Sequence, residues 1–264
     1  MTGHRFLLLA FLALVTVPVA AAAQGPGRGA APPPATPRAA SPVDLTGYWV
    51  SVVSEDWRWR MVTPIKGDFA SVPITPEARR VGELWDPAKD EAAGLQCKAY
   101  GAPAIMRRPG RVHITWQDDQ TLKLELDEGS QVRLFHFGGS PPSGARPSWQ
   151  GYSVANWERP VQGIEPPDLA GIFSTRTANR GRSLEVTTRG LRDGYLRANG
   201  LPYSADTTVE EFYDYHKLAD GAEWLTVTTV VTDPKYLKAP WITSSDFKKE
   251  PDGSKFSPGP CSAR

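Results

Sequence analysis

Apolar and polar residues alternate with a period of two in one stretch after another, and that pattern commits the chain to sheet. In residues 121–127, Leu122, Leu124 and Leu126 fall on one side and Lys123, Glu125 and Asp127 on the other. Successive side chains of a strand point to opposite faces, so this is the pattern of a half-buried strand. The same period marks 48–53, 57–62, 111–117, 131–137, 149–157, 183–188, 207–216 and 223–231. Short strands in such number predict a barrel or sandwich. Turn residues sit between several of them: Asp118-Asp119, Asp127-Glu128-Gly129 and Asp220-Gly221. The central four strands are therefore expected to form an antiparallel meander.

Helix is scarce. Thr75-Pro76-Glu77 and Asp86-Pro87 place a capping side chain directly before a proline, and Gly94 supplies a stop, so two short helices are expected ahead of Cys97. They read equally as a lid beside the sheet and as a surface excursion. Long loops are expected at 138–147 and 159–182. The second is rich in Pro, Gly and Arg, and a loop of about 24 residues is unusual in a compact domain, where it is functional or disordered. The fold class read from the sequence is thus mainly β, an antiparallel barrel with two short helices and long loops.

The N-terminus has the order of a secretory signal. His4 and Arg5 precede an apolar run from Phe6 to Val19, and small residues follow at Ala20 to Ala23. The run is roughly 14 residues, short of the ~20 that span a bilayer, so cleavage near Ala23 and no stable membrane anchor are expected. Residues 24–42, almost entirely Ala, Gly, Pro and Arg, read as a solvated linker. Residues 43–264 then form a single domain, periplasmic or secreted.

Export changes the meaning of the two cysteines, Cys97 and Cys261. In an oxidising compartment such a pair becomes a bridge, and this one would pin the C-terminal tail to the body. Lys and Arg number 30 against 29 Asp and Glu, which argues against nucleic acid as a partner, since phosphate binding needs concentrated basic charge. Aromatic residues are plentiful, with 9 Trp, 8 Tyr and 9 Phe, and they serve equally as strand core and as pocket lining.

Downstream of the signal the histidines are His113, His136 and His216, each inside a strand candidate. His113 projects with Arg111 and Thr115, away from Val112, Ile114 and Trp116; His216 shares parity with Glu210, Phe212 and Asp214. His136 shares parity with Val132 and Leu134, which aims it toward apolar space. A histidine beside a carboxylate such as Glu125, Glu185 or Glu211 could act as a general base. Parity reads Lys123, Glu125 and Asp127 as solvent-facing and leaves Glu211 open. No HxH, HxxxH or HExxH spacing supports a metal site, and no GxSxG, phosphate loop or CxxC is present, so no metal or cofactor is assigned.

Leu45-Thr46-Gly47-Tyr48-Trp49, opening the first strand, resembles the Gly-x-Trp element of lipocalin-like barrels. That resemblance implies a calycin-type barrel closed at one end around an apolar cavity. A broader resemblance is to exported bacterial β-rich proteins of uncharacterised function. It rests on Gly101-Ala102-Pro103-Ala104-Ile105-Met106, Trp149-Gln150-Gly151-Tyr152-Ser153-Val154, Leu184-Glu185-Val186-Thr187-Thr188, Gly200-Leu201-Pro202-Tyr203-Ser204, Val209-Glu210-Glu211-Phe212 and Asp233-Pro234-Lys235-Tyr236. It implies export and a shared β fold, with no activity to carry over. The leading expectation is a barrel holding a small apolar or aromatic molecule, lined by Trp49, Trp116, Phe135, Trp149, Tyr152 and Tyr213. One alternative is a cofactor-independent lyase, isomerase or hydrolase using a His and carboxylate pair, with His113, His136, His216 and Glu211 as candidates. Another is an envelope interaction protein.

Overall fold

The computed structural model describes residues 35–158 and 183–264. The expected signal sequence and the 159–182 loop lie outside the described residues. Among the described residues eleven strands follow in chain order: β1 (Gly47–Val52), β2 (Arg111–Trp116), β3 (Thr121–Leu126), β4 (Gln131–Phe137), β5 (Tyr152–Trp157), β6 (Leu184–Arg189), β7 (Gly194–Arg197), β8 (Leu201–Tyr203), β9 (Thr208–Lys217), β10 (Glu223–Thr232) and β11 (Trp241–Glu250). Nine of them close into a barrel in the order β1-β11-β10-β9-β6-β5-β4-β3-β2, while β7 and β8 form a separate hairpin.

The barrel departs from an antiparallel one at a single seam. β2, β3 and β4 form the expected meander, but β4 pairs with β5 in parallel, Phe135 opposite Ser153 and Phe137 opposite Ala155. Parallel neighbours need a crossover, so the chain from Gly138 to Gly151 must run back from one barrel end to the other. Gly138, Gly139, Gly144 and Gly151 all have positive φ along it.

Inward positions carry Trp49, Val112, Ile114, Leu122, Leu124, Phe135, Val186, Tyr213, Leu225, Val227 and Phe247, all buried. The 57–62 stretch, expected as a strand, is instead a helical turn, α1 (Trp57–Arg60), built on the carbonyl of Asp56. A window that short cannot separate one helical turn from alternation. The two proline-led helices form as their caps require: α2 (Pro76–Glu83) with Thr75 Oγ1 accepting from the Ala78 N–H at 3.2 Å, and α3 (Pro87–Ala92) with Asp86 Oδ1 accepting from Ala88 at 3.1 Å. A 3-10 turn (Gln96–Tyr100) and α4 (Ala102–Ile105) follow. Ala99, Tyr100, Ile105 and Met106 join the barrel core, so this segment plugs one end of the barrel.

The Cys97–Cys261 disulfide, with an S–S distance of 2.02 Å and Cα atoms 5.1 Å apart, ties that plug to the C-terminal tail. The tail is also hydrogen-bonded, Gly259 N–H to the Asp127 carbonyl at 2.9 Å and Ser262 N–H to Tyr100 Oη at 3.1 Å. Asp127, expected at the surface, is buried, and its carboxylate accepts from the Arg111 N–H at 2.6 Å. Gly129 lies at the centre of this junction with φ 70°, and a Cβ there would stand 2.4 Å from Tyr100 Cδ1 and 2.9 Å from Cys261 Sγ. Strain and overpacking act together at such a site. Gly129→Ala is therefore expected to lower unfolding stability by about 2 to 3 kcal/mol in urea titrations, with m unchanged.

Candidate functional site

The end of the barrel away from the helical plug is rimmed by aromatic rings. β2, β4 and β5 end there in Trp116, Phe137 and Trp157, each half-buried. Phe137 shares its inward parity with Phe135, and Trp157 shares that of Ser153 and Ala155. The rings form a continuous run, with centroids 5.4 Å apart from Trp116 to Phe137 and 5.5 Å from Phe137 to Trp157. Between the last two, at the parallel seam, the inward position is only a methyl, Ala155. Ala155 is itself buried in the core, and Phe137 and Trp157 pack against it.

Over this rim passes the end of the stretch expected to be a solvated linker. Within it, residues 37–40 make a turn, with Ala40 N–H donating to the Thr36 carbonyl at 2.8 Å. The indole N–H of Trp157 donates to the Pro37 carbonyl at 2.9 Å, and Arg38 N–H donates to Asp119 O at 3.3 Å. Prolines and alanines have little to lose on ordering, which favours such a contact. Between segment and rim lies a cleft of about 510 Å³, lined by Pro37, Ala40, Pro42, Phe137, Ala155 and Trp157 among others. On the other side of the segment, Trp116 lines a recess with Val43 and Asp44.

Beneath the rim the barrel is filled by side chains. Phe135 and Tyr213 meet edge to face at 5.4 Å, and Trp49 donates from Nε1 to the Leu45 carbonyl at 2.9 Å. One layer deeper is a fully buried ion pair. Arg133 Nη1 and Nη2 reach the Glu211 carboxylate at 2.8 and 2.5 Å, Tyr213 Oη donates to Glu211 Oε1 at 3.2 Å, and Arg133 Nη2 donates to Thr188 Oγ1 at 3.3 Å. Burial alone would lower the arginine pKa, but the Glu211 charge outweighs it and holds the guanidinium firmly protonated. The Tyr213 phenol is pushed well above its ordinary value by burial and by the adjacent carboxylate.

Of the six aromatic residues expected to line a ligand cavity, Trp116 is on the rim, whereas Trp49, Phe135 and Tyr213 are core beneath it. Trp149 lies elsewhere, donating to the Asp193 carbonyl at 3.1 Å under the Arg192 guanidinium. Tyr152 is on the outer wall, stacked on His136 with centroids 4.6 Å apart, in a groove with Pro141 and Pro142. Phe137, Trp157 and Ala155 are not among the expected lining residues, although strand parity carries all three inward.

The histidines are not brought to Glu211. His113 stacks on Tyr48 at 4.0 Å on the outer wall, with Nδ1 3.2 Å from Glu125 Oε2. His216 faces outward on β9, opposite Trp224 of β10. His136, expected to point into apolar space, also faces outward, because β4 turns Arg133 and Phe135 inward and leaves Val132 47% exposed. Burial against Tyr152 and its neighbours lowers the His136 pKa. Among the described residues no group of three or more His, Cys, Asp or Glu converges as metal ligands.

Comparisons with protein-family models, with curated proteins and with solved structures find no match.

Proposed function

We propose that this chain is an exported barrel protein that binds a small, uncharged apolar or aromatic molecule at the open barrel end, between the Phe137–Trp157 pair and the 35–42 segment. The observation that carries the reading is the Phe137–Trp157 ring pair bordering a cleft of about 510 Å³ between the barrel rim and the 35–42 segment. A planar ring entering there would stack on Trp157 or Phe137 and displace water from apolar surface, each aromatic contact contributing about 0.5 to 1.5 kcal/mol beyond burial. The Gly47-Tyr48-Trp49 opening of β1 fits the calycin-like version of this reading, in which one barrel end is closed and the other receives the ligand. The disulfide fits an oxidising compartment, periplasmic or extracellular. No helix of the described residues is long and apolar enough to cross a membrane.

The test is a fluorescence titration of the purified protein with N-phenyl-1-naphthylamine, a neutral polycyclic aromatic probe. Saturable enhancement with a micromolar Kd is expected, weakened about tenfold in Trp157→Ala, the equivalent of ~1.4 kcal/mol. Ala155→Leu, which crowds Phe137 and Trp157 from beneath and removes no aromatic ring, is expected to abolish it. Absence of saturable enhancement, or equal affinity in both variants, would overturn the reading.

A further inference from the structure

At the plugged end of the barrel three arginines distant in sequence meet beside one cleft. Arg60 of α1, Arg107 after α4 and Arg197 at the end of β7 are each 5–7% exposed. Together with Arg108 they line a cleft of about 240 Å³ that Trp59 and Thr63 also border. Arg197 packs its guanidinium on Trp59, 5.0 Å from the ring centroid, and Arg107 lies 4.9 Å from the centroid of Trp241. The aromatic faces hold these groups flat and in place.

Accounting for the guanidinium N–H groups shows a surplus of donors. Arg60 is provided for: Nε donates to the Arg107 carbonyl at 2.8 Å, Nη1 pairs with Glu55, and Nη2 reaches Ser51 Oγ at 3.4 Å. Arg107 pairs through Nη2 with Asp56 at 2.8 Å, but its Nη1 is buried without an acceptor among the described residues. Arg197 donates from Nη1 to the Ala70 carbonyl at 2.8 Å, while its Nε and Nη2 are buried with none. The nearby Asp68 is engaged by Arg58 and by the Trp59 indole N–H. Arg108 pairs with Glu128 at 3.3 Å. The four guanidiniums face Glu55, Asp56 and Glu128, with Asp68 and Asp246 also close enough to act on Arg197 and Arg60, and Arg197 forms no ion pair among those described. Burial, then repulsion from Arg107, outweighs the attraction of Asp56 and Asp68 and pushes Arg197 down to about 10.

Leaving charged donors buried and unpaired is among the costlier arrangements a fold can hold. Planar guanidinium forks match the oxygens of phosphate and carboxylate. We infer that the Arg60–Arg107–Arg197 cleft is a binding site for an oxyanion, the phosphate or carboxylate group of a small molecule. The bound oxygens would accept from Arg107 Nη1 and from Arg197 Nε and Nη2. This site lies at the end of the barrel opposite the aromatic rim and does not depend on the function proposed above.

The test is a titration of the full-length expressed protein at constant ionic strength with inorganic phosphate and, separately, with succinate, followed by the arginine Nε–H signals in NMR. Saturable shifts of the Arg197 and Arg107 signals with at least one of the two anions are expected at millimolar concentration, and the responding anion identifies the source. Arg197→Met should weaken that binding at least tenfold, and Arg197→Lys should restore it only in part, because a point charge lacks the fork. Failure of both anions to move these signals in the unmodified protein, which requires no variant to fold, would overturn the inference. So would a Met variant that folds and binds with unchanged affinity.

Discussion

Glu211→Ala is expected to cost about 3 to 5 kcal/mol of unfolding free energy, a larger loss than that of Gly129→Ala at the tail junction. Both members of the Arg133–Glu211 pair have fully buried side chains, and the guanidinium stays charged. Removing the carboxylate strands that charge inside the barrel with Thr188 Oγ1, Tyr213 Oη and the face of Phe135 as its remaining neighbours. The penalty is the desolvation of an ion that has lost its counter-charge, so it should largely vanish when the ion goes too. In urea denaturation the double variant Arg133→Met/Glu211→Leu should recover most of the stability, a coupling of several kcal/mol in the double-mutant cycle. Additive losses would mean that the two groups are solvated separately and that the barrel admits water at this depth.

The second large effect is expected from the disulfide. Cys97 and Cys261 are separated by 164 positions, and closing a loop of that length restricts the unfolded chain by about 4 to 5 kcal/mol in the entropic treatment. Cys97→Ser/Cys261→Ser, or reduction of the native protein, should lower Tm by about 10 to 15 °C for a domain of this size. Without the bridge the tail depends on weak contacts such as Ser130 Oγ to the Gly259 carbonyl at 2.9 Å. Limited proteolysis should therefore remove the residues around Cys261 from the double variant before the barrel unfolds. A Tm unchanged on reduction would show that the hydrogen bonds of the tail suffice.

Most of the barrel is legible in the sequence because leucines alternate with charges in β3 and aromatics with polar residues in β9. What the pattern conceals shares one cause, polar groups on the inner wall. In β4, Val132 and Leu134 imitate a core face, while the true inward residue between them is the ion-paired Arg133. In β11 the inward positions are Trp241, Thr243, Ser245 and Phe247, and outward Ile242 is 64% exposed, so the apolar phase is disguised and the strand does not stand out. The parallel seam is hidden for a different reason: direction depends on where a crossover runs, and the glycine-rich chain between β4 and β5 resembles a long hairpin loop.

The sites divide along the same line. Trp116 can be named from strand parity, and Phe137 and Trp157 stand at the ends of expected strands. Singling them out requires knowing that strand ends gather at one rim. The arginine cleft has no local signature, since positions 60, 107 and 197 meet only once the helical turn α1 and the β7–β8 hairpin have folded over the plugged end.

Whether the aromatic rim receives the ligand is tested most directly by the indole N–H spectrum of the nine tryptophans during titration with N-phenyl-1-naphthylamine. The Trp157 signal, whose N–H is bonded to the Pro37 carbonyl, is expected to move furthest, with Trp116 following and Trp59, Trp149 and Trp241 fixed. Saturable shifts confined to Trp59, Trp149 or Trp241, with Trp157 unmoved, would contradict binding at the rim.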